Sequence, residues 1–365
     1  MIRLIKPYIA YDEVAADFQS IFESGMFTKG TFSTAFPEQL AAYTGARYAF
    51  NTTSATTALS ACLAILDIGP GDDVIVSDFS FPATANVVED RGARPVFADV
   101  SRQTFNMLPD QLLAKIGPAT KAVIFVCAFG SPQGIEEIAQ ICKAHDLPLI
   151  VDAACAVGSF SNDVAVGRIG DLTCFSFHPR KLLTAGEGGA ITTDNSAYAD
   201  TLRVKLMHGS EMVSGRLEFT TYGYNYRLPE LQCAMLLKQL AKLDDIVDRR
   251  HMMWQQYCDG LVALGFCPQS ADTAVRTNLQ SVVFTVPEGV DRENLSARLL
   301  ERGVETTLGT YCLSGGQYFR EKYQSVQPNA DWLEKHTITL PCHDDVDVSF
   351  VVGAIRASLG SDRLK

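Results

Sequence analysis

Three segments combine residue types and spacings that could do chemistry. In Phe175-Ser176-Phe177-His178-Pro179-Arg180-Lys181-Leu182-Leu183 a lysine sits in a turn after an apolar run, and Gly188-Gly189 leads into the next one. A lysine on an exposed face is the ordinary case, and Arg180 fits that description. Leu182 and Leu183 set Lys181 apart, because desolvation lowers a lysine's pKa, as an amine attacking an aldehyde requires. In Leu149-Ile150-Val151-Asp152 an apolar strand ends in a carboxylate. Buried there, it needs a cation, a metal or several donors; the alternative is a solvated loop aspartate. No His or second acid flanks it to complete a metal site. The third segment, Asn51-Thr52-Thr53-Ser54-Ala55-Thr56-Thr57-Ala58-Leu59, puts small hydroxyl residues at a helix start. Unpaired N–H groups and the positive dipole end suit a phosphate there, although an ordinary Ser/Thr cap has the same composition.

Taken together, a phosphate-ready helix start, a strand-end Asp152 and a desolvated Lys181 fit pyridoxal 5′-phosphate. That cofactor needs a lysine for its Schiff base, an acid at its pyridinium nitrogen, a phosphate cradle and an aromatic face. Phe81, in Ser80-Phe81-Pro82 at another strand end, can supply the ring.

These residues need elements to hold them. Val74–Ser77, Pro95–Asp99, Ala122–Cys127, Leu147–Asp152, Leu172–Phe177 and Ala190–Thr193 are Val-, Ile- and Phe-rich with little alternation, which suits strands covered on both faces. Between them, helical stripes run over Thr56–Leu66 and Ile135–His145. The alternation predicts an α/β chain with a mainly parallel central sheet. A long helix is expected from Pro229 to about Met253. Beyond it, strands at Leu261–Phe266, Ser281–Val286 and Thr337–Pro341 with a helix at Arg292–Arg302 predict a smaller α+β region. We expect a large domain over residues 1–245, N-terminal arm included, and a small C-terminal domain over 246–365.

The 365 residues are 47% hydrophobic, ample for a packed core. Thirty-one basic against 42 acidic residues give a net charge of −11, with no broad attraction to nucleic acid or anionic lipid. The ten cysteines form no C-x-x-C pair, and only Cys342-His343 are adjacent; free thiols in a reducing compartment are expected, with no metal site. No apolar stretch is long enough to span a membrane, and a cytoplasmic location is expected.

The chain resembles the DegT/DnrJ/EryC1/StrS family of fold-type I pyridoxal-phosphate-dependent sugar aminotransferases. The resemblance covers nearly all of it and is strongest in Ser54–Leu59, Phe81–Asn86, Asp152–Ala156, Ser176–Ala190 and Gly223-Tyr224-Asn225-Tyr226-Arg227-Leu228-Pro229-Glu230-Leu231-Gln232. It implies that Lys181 carries the cofactor as a Schiff base and, once released, moves the proton between Cα and C4′. It further implies that Asp152 keeps the ring nitrogen protonated and that Phe81 stacks on the ring. Ala55 and Thr56 would give N–H groups to the phosphate, and Ser176 its hydroxyl. Asn225 would reach the phosphate of a neighbouring subunit, which implies a homodimer with shared active sites.

This sequence departs from the family pattern at three places. Cys155 replaces a glutamine beside the cofactor's phenolic oxygen, Cys127 and Val157 replace histidines, and Tyr311-Cys312-Leu313-Ser314 lacks the usual Tyr-Pro-Leu-His. The expected activity is transfer of an amino group from an amino acid, L-glutamate foremost, through pyridoxamine phosphate to a keto or aldehydo sugar or a sugar-like acceptor. Such a reaction would serve surface-polysaccharide or secondary-metabolite biosynthesis. The alternatives are a sugar dehydratase of the same family, disfavoured by Lys181 because that branch carries histidine, and a non-catalytic cofactor-binding regulator. A dinucleotide-dependent oxidoreductase lacks its G-x-G-x-x-G here. For the acceptor, Lys29, His178, Arg216, Arg227 and Tyr311 are candidate contacts, and the loop from His208 to Phe219 is expected to shape the pocket.

Overall fold

The computed structural model describes residues 1–359. Seven strands form the central sheet: β1 (Tyr48–Thr52), β2 (Asp73–Ser77), β3 (Arg94–Ala98), β4 (Thr120–Val126), β5 (Leu149–Asp152), β6 (Leu172–Ser176) and β7 (Gly189–Thr193). Their order across the sheet is β1-β7-β6-β5-β4-β2-β3. The pairs from β6 to β3 are all parallel, and only β7 runs against its two neighbours.

Alternate residues of these strands enter two different cores. Val74, Val76, Ala122, Ile124 and Ile150 pack with Leu59, Cys62 and Leu63 of the helix Ala55–Ile65. On the opposite face Ile75, Val123, Phe125, Leu149 and Val151 pack with Phe36 and Leu40 of the helix Thr31–Thr44, Ile135 and Ile138 of Ile135–Ala144, and Leu236 of Glu230–Leu240. Helices on both faces are what parallel strands demand, since each crossover must bridge the sheet. The uninterrupted apolar strands seen in sequence follow from this sandwiching.

A second, antiparallel sheet lies in the C-terminal region, made of β8 (Cys267–Pro268), β9 (Val282–Thr285), β10 (Thr307–Leu308) and β11 (Thr337–Leu340) in the order β8-β9-β11-β10. The helix Leu243–Leu261 belongs to both halves. Leu243, Ile246 and Val247 are buried in the main core, whereas Tyr257 and Leu261 are buried in the C-terminal core. The N-terminus also reaches the second region, where Ile2 bridges Val304.

Two expected elements differ. The single helix from Pro229 to Met253 is two helices, Glu230–Leu240 and Leu243–Leu261, broken where Lys242 leaves helical geometry at φ −119°, ψ 13°. No Gly or Pro marks the break, so the apolar stripe runs through it in sequence. The strand expected at Leu261–Phe266 is instead a helix end and a 3-10 turn, Val262–Leu264, closed by Gly265 at φ 88°. Leu261 and Phe266 are buried but Val262 is exposed. That spacing mimics a buried strand, while the left-handed glycine ends a helix. β1 was not expected, because Asn51 and Thr52 interrupt its apolar character.

Candidate active site

The C-terminal ends of β4, β5 and β6 meet at one cavity, the place where open parallel sheets bind ligands. β5 ends at Asp152, whose side chain is buried with 6% of its surface exposed. Its Oδ2 accepts a hydrogen bond from Thr84 Oγ1 at 2.8 Å, and its Oδ1 accepts one from the Ala154 N–H at 3.2 Å. Thr84 Oγ1 also meets Ser80 Oγ at 2.8 Å. Burial pushes the Asp152 carboxyl above the usual carboxylate range, against the opposing pull of Thr84, the Ala154 N–H and Lys181. A cation placed against this carboxylate would relieve that cost.

β6 ends at Ser176 and opens into the loop that carries Lys181. Leu182 and Leu183 are buried in the main core, worth about 1.5–3 kcal/mol each. They pin the loop from below. The Lys181 N–H closes a turn on the His178 carbonyl at 2.8 Å, and Lys181 lies on the cavity wall. Its Nζ donates to Cys155 Sγ at 3.0 Å. The thiol that replaces the family's glutamine is thus a direct neighbour of the amine. Downstream, Gln232 Nε2 donates to the Glu187 carbonyl at 2.9 Å and steadies the glycine turn before β7.

At the start of the helix Ala55–Ile65, Ser54 Oγ accepts from the Thr57 N–H at 3.1 Å, and Thr57 Oγ1 accepts from the Ser54 N–H at 3.0 Å. This reciprocal cap leaves Ala55 and Thr56, whose N–H groups have no intrahelical acceptor, on the cavity wall. Gly189 makes the approach possible. A Cβ there would lie 2.4 Å from the Ser54 carbonyl carbon and 2.7 Å from the Ala55 nitrogen, so any side chain would push the helix start away from β7.

The cavity encloses about 770 Å³. Besides these groups it is lined by Phe81, Ser176, His178 and Tyr311, by the N-terminal segment near Tyr8 and by β10. Phe81 is 65% exposed, unusual for a phenylalanine, and Tyr311 approaches it edge-on at 6.3 Å between centroids. His178 Nε2 lies 3.9 Å from Glu187 Oε1, and burial holds the imidazole pKa below its ordinary value.

The residues present fit pyridoxal phosphate. The undercompensated Asp152 suits a protonated ring nitrogen. The open N–H groups beside Gly189 suit a phosphate, the bare Phe81 ring suits a planar heterocycle, and Lys181 offers the amine. Ala55, Thr56, Phe81, Asp152, Cys155, Ser176 and Lys181 all share the cavity, as do His178 and Tyr311. Lys29, Arg216, Arg227 and Asn225 do not line it. Arg216 lies on an exposed hairpin, Ser210–Val213 with Arg216–Phe219, which stands away from its own chain's cavity. Residues 208–219 do not line this chain's own cavity. Sequence reasoning missed Thr84, Arg250 and Gln280 on the cavity wall. Thr84 alone had a signal, three residues after the noted Phe81 at a proline-led helix start.

The profile of the DegT/DnrJ/EryC1/StrS aminotransferase family matches residues 9–356. The chain belongs to that family. Among similar solved structures is the aminotransferase TlmJ from Streptoalloteichus hindustanus, with 29% identity over 98% of this chain and 99% of that one at a TM-score of 0.92. DesV from S. venezuelae, solved in complex with a ketimine intermediate, shares 27% identity over 98% and 97% of the two chains at a TM-score of 0.89. A putative sugar aminotransferase from Streptococcus pneumoniae in its PMP form, at 24% identity, matches in fold over 98% and 99% with a TM-score of 0.92. This family member is thus an aminotransferase-family enzyme with an α/β fold, and the family uses pyridoxal phosphate. Among its described residues no helix is long and apolar enough to cross a membrane.

Proposed function

We propose that this family member moves an amino group from L-glutamate to a keto or aldehydo sugar, or a sugar-like acceptor, in surface-polysaccharide or secondary-metabolite biosynthesis. The observation that carries the reading is the pairing, across one cavity, of a buried Asp152 held by Thr84 with the Lys181 amine. Ala55, Thr56 and Ser176 would hold the cofactor phosphate, Phe81 would cover one ring face, and Asp152 would keep the ring nitrogen protonated. When bound, pyridoxal phosphate supplies an aldehyde that takes up the amino group and a ring that withdraws electrons. Once released, Lys181 would carry the proton between the donor Cα and C4′, a general acid–base role worth roughly 10²–10⁴-fold. A cavity of about 770 Å³ leaves space for an acceptor ring beside the cofactor.

A homodimer accounts for the residues outside the cavity. In sequence, Lys29 follows the exposed Met26 and Phe27, Arg216 precedes the exposed Leu217 and Phe219, and Asn225 follows the exposed Tyr222. Exposed apolar side chains of this kind suit burial against a second copy, and Asn225 would then meet the neighbour's phosphate site.

The test converts the holoenzyme to its pyridoxamine form with glutamate, then adds a panel of keto and aldehydo sugars. Bleaching of the visible band by glutamate and its return with one sugar class is the expected result. A band indifferent to amino acids would leave a silent cofactor binder and overturn the proposal.

A further inference from the structure

The cavity wall contains a brace that the proposed chemistry does not use directly. Gln280 approaches the Lys181 loop from the segment before β9. Its Oε1 accepts from the Leu182 N–H at 2.8 Å, and its Nε2 donates to the Arg180 carbonyl at 2.6 Å. One side-chain amide thereby grips the backbone immediately before and after Lys181. Two residues earlier, the fully buried Asn278 does the same behind Cys155. Its Nδ2 donates to the carbonyls of Cys155 at 2.9 Å and Val157 at 2.6 Å, while its Oδ1 accepts from the Gln280 N–H at 2.9 Å. The two loops that bring Nζ and Sγ to 3.0 Å are therefore tied to one tripeptide, Asn278-Leu279-Gln280.

That tripeptide is itself held rigidly. Leu279 adopts φ 50°, a strained value for a leucine, and the buried Arg250 secures it. Arg250 Nε donates to the Leu279 carbonyl at 2.7 Å and Nη2 to the Gln280 carbonyl at 3.0 Å. Gly130, at φ 100°, leaves the room, since a Cβ there would lie 1.9 Å from Asn278 Oδ1. Every polar atom of the two amide side chains is satisfied. A buried amide network of this kind specifies one geometry.

We propose that Asn278 and Gln280 are positioning residues that fix the Lys181 and Cys155 loops relative to each other and so set the aim of the lysine amine. The inference rests on Lys181 as the point of cofactor attachment. The structure also provides a matched comparison. Gln239 grips the same loop at Thr184, accepting from its N–H at 3.0 Å and donating to its carbonyl at 2.8 Å, but Gln239 does not line the cavity.

The experiment uses holoenzyme of wild type, Gln280→Met and Gln239→Met, with two readouts: melting temperature and the pH midpoint of the visible cofactor band. Both variants delete two loop hydrogen bonds, so both should lower the melting temperature. Only Gln280→Met should move the band midpoint, by about half a pH unit or more. Gln280→Ala removes the same two contacts without adding a charge, and it carries the test should Gln280→Met not fold. Equal midpoint shifts in the Gln280 and Gln239 variants, or none in either, would overturn the inference. Borohydride fixation of cofactor on the wild-type Lys181 peptide is the separate control. Its failure would sink the attachment reading itself.

Discussion

Thr84 Oγ1 donates to Asp152 Oδ2 at 2.8 Å across 68 residues of chain, joining a helix start to the end of β5. A hydrogen bond to a charged group is worth about 1.5–3 kcal/mol. Thr84→Val keeps the shape and removes the donor. The expected outcome is roughly a ten-fold or greater loss of cofactor affinity, read by equilibrium dialysis, with little change in fold by circular dichroism. Unchanged affinity would show that Asp152 does not depend on this contact.

Asp152→Asn removes the charge that a protonated ring nitrogen would meet. Breaking a buried pair costs about 3–5 kcal/mol, so both cofactor retention and turnover should drop steeply. A spectrophotometric assay at saturating cofactor separates the two losses. Normal turnover there would contradict the assigned role.

Lys181→Ala should remove both the covalent link and the proton carrier. Turnover should fall by at least about 10²–10⁴-fold, and borohydride should no longer fix cofactor to the chain. Near-native turnover would eliminate the proposed chemistry.

Asp78 gives a pH prediction for stability. Its carboxylate is buried, accepting from the Ser314 N–H at 2.7 Å and hydroxyl at 2.6 Å and from the Cys312 thiol at 3.3 Å. Burial nevertheless raises its pKa to about 7. The folded chain thus binds this proton more tightly than the unfolded one. The resulting stabilisation is complete below about pH 4, the range of a free aspartate. It is lost progressively as pH rises through about 7. Asp78→Asn should flatten the fall of the urea midpoint across that window. Asp152, shifted in the same direction, keeps the slope from vanishing. A slope identical to wild type would rule out Asp78 as its source.

Glu230 caps the helix Thr31–Thr44, accepting from the N–H groups of Gly30, Phe32 and Ser33 at 3.0, 2.9 and 2.8 Å. Glu230→Ala leaves these donors unpaired and should cost about 1–3 kcal/mol in chemical denaturation. Glu230→Gln keeps the oxygen that can serve Gly30 and Ser33 but turns an NH2 toward the Phe32 N–H and loses the charge–dipole attraction, so its cost should be smaller than that of Glu230→Ala. Equal losses for the two variants would argue against the capping role.

The legible parts of this chain were those with a local signature. β2, β4, β5 and β6 announced themselves because both faces are buried, and Asp152 stood out as the carboxylate ending its strand, while Ser176 was legible only by family resemblance. Lys181 was visible through Leu182 and Leu183, which anchor its loop. β1 was hidden by Asn51 and Thr52, and the break at Lys242 has no local breaker at all. Thr84, Asn278 and Gln280 matter through partners far away in sequence. A hydroxyl or an amide carries no sign of what it will bind until the fold brings that partner near. The Asn225 segment was legible only by family resemblance, and its Glu230 proves to be a cap on a distant helix.

The helix Leu243–Leu261, 19 residues long, spans about 28 Å with one end sunk in each hydrophobic interior. Neither interior can be sealed without it, so melting one half strips greasy surface from the other. The protein should therefore denature as a single event in calorimetry, and severing the backbone near this rod should leave no fragment that stands by itself.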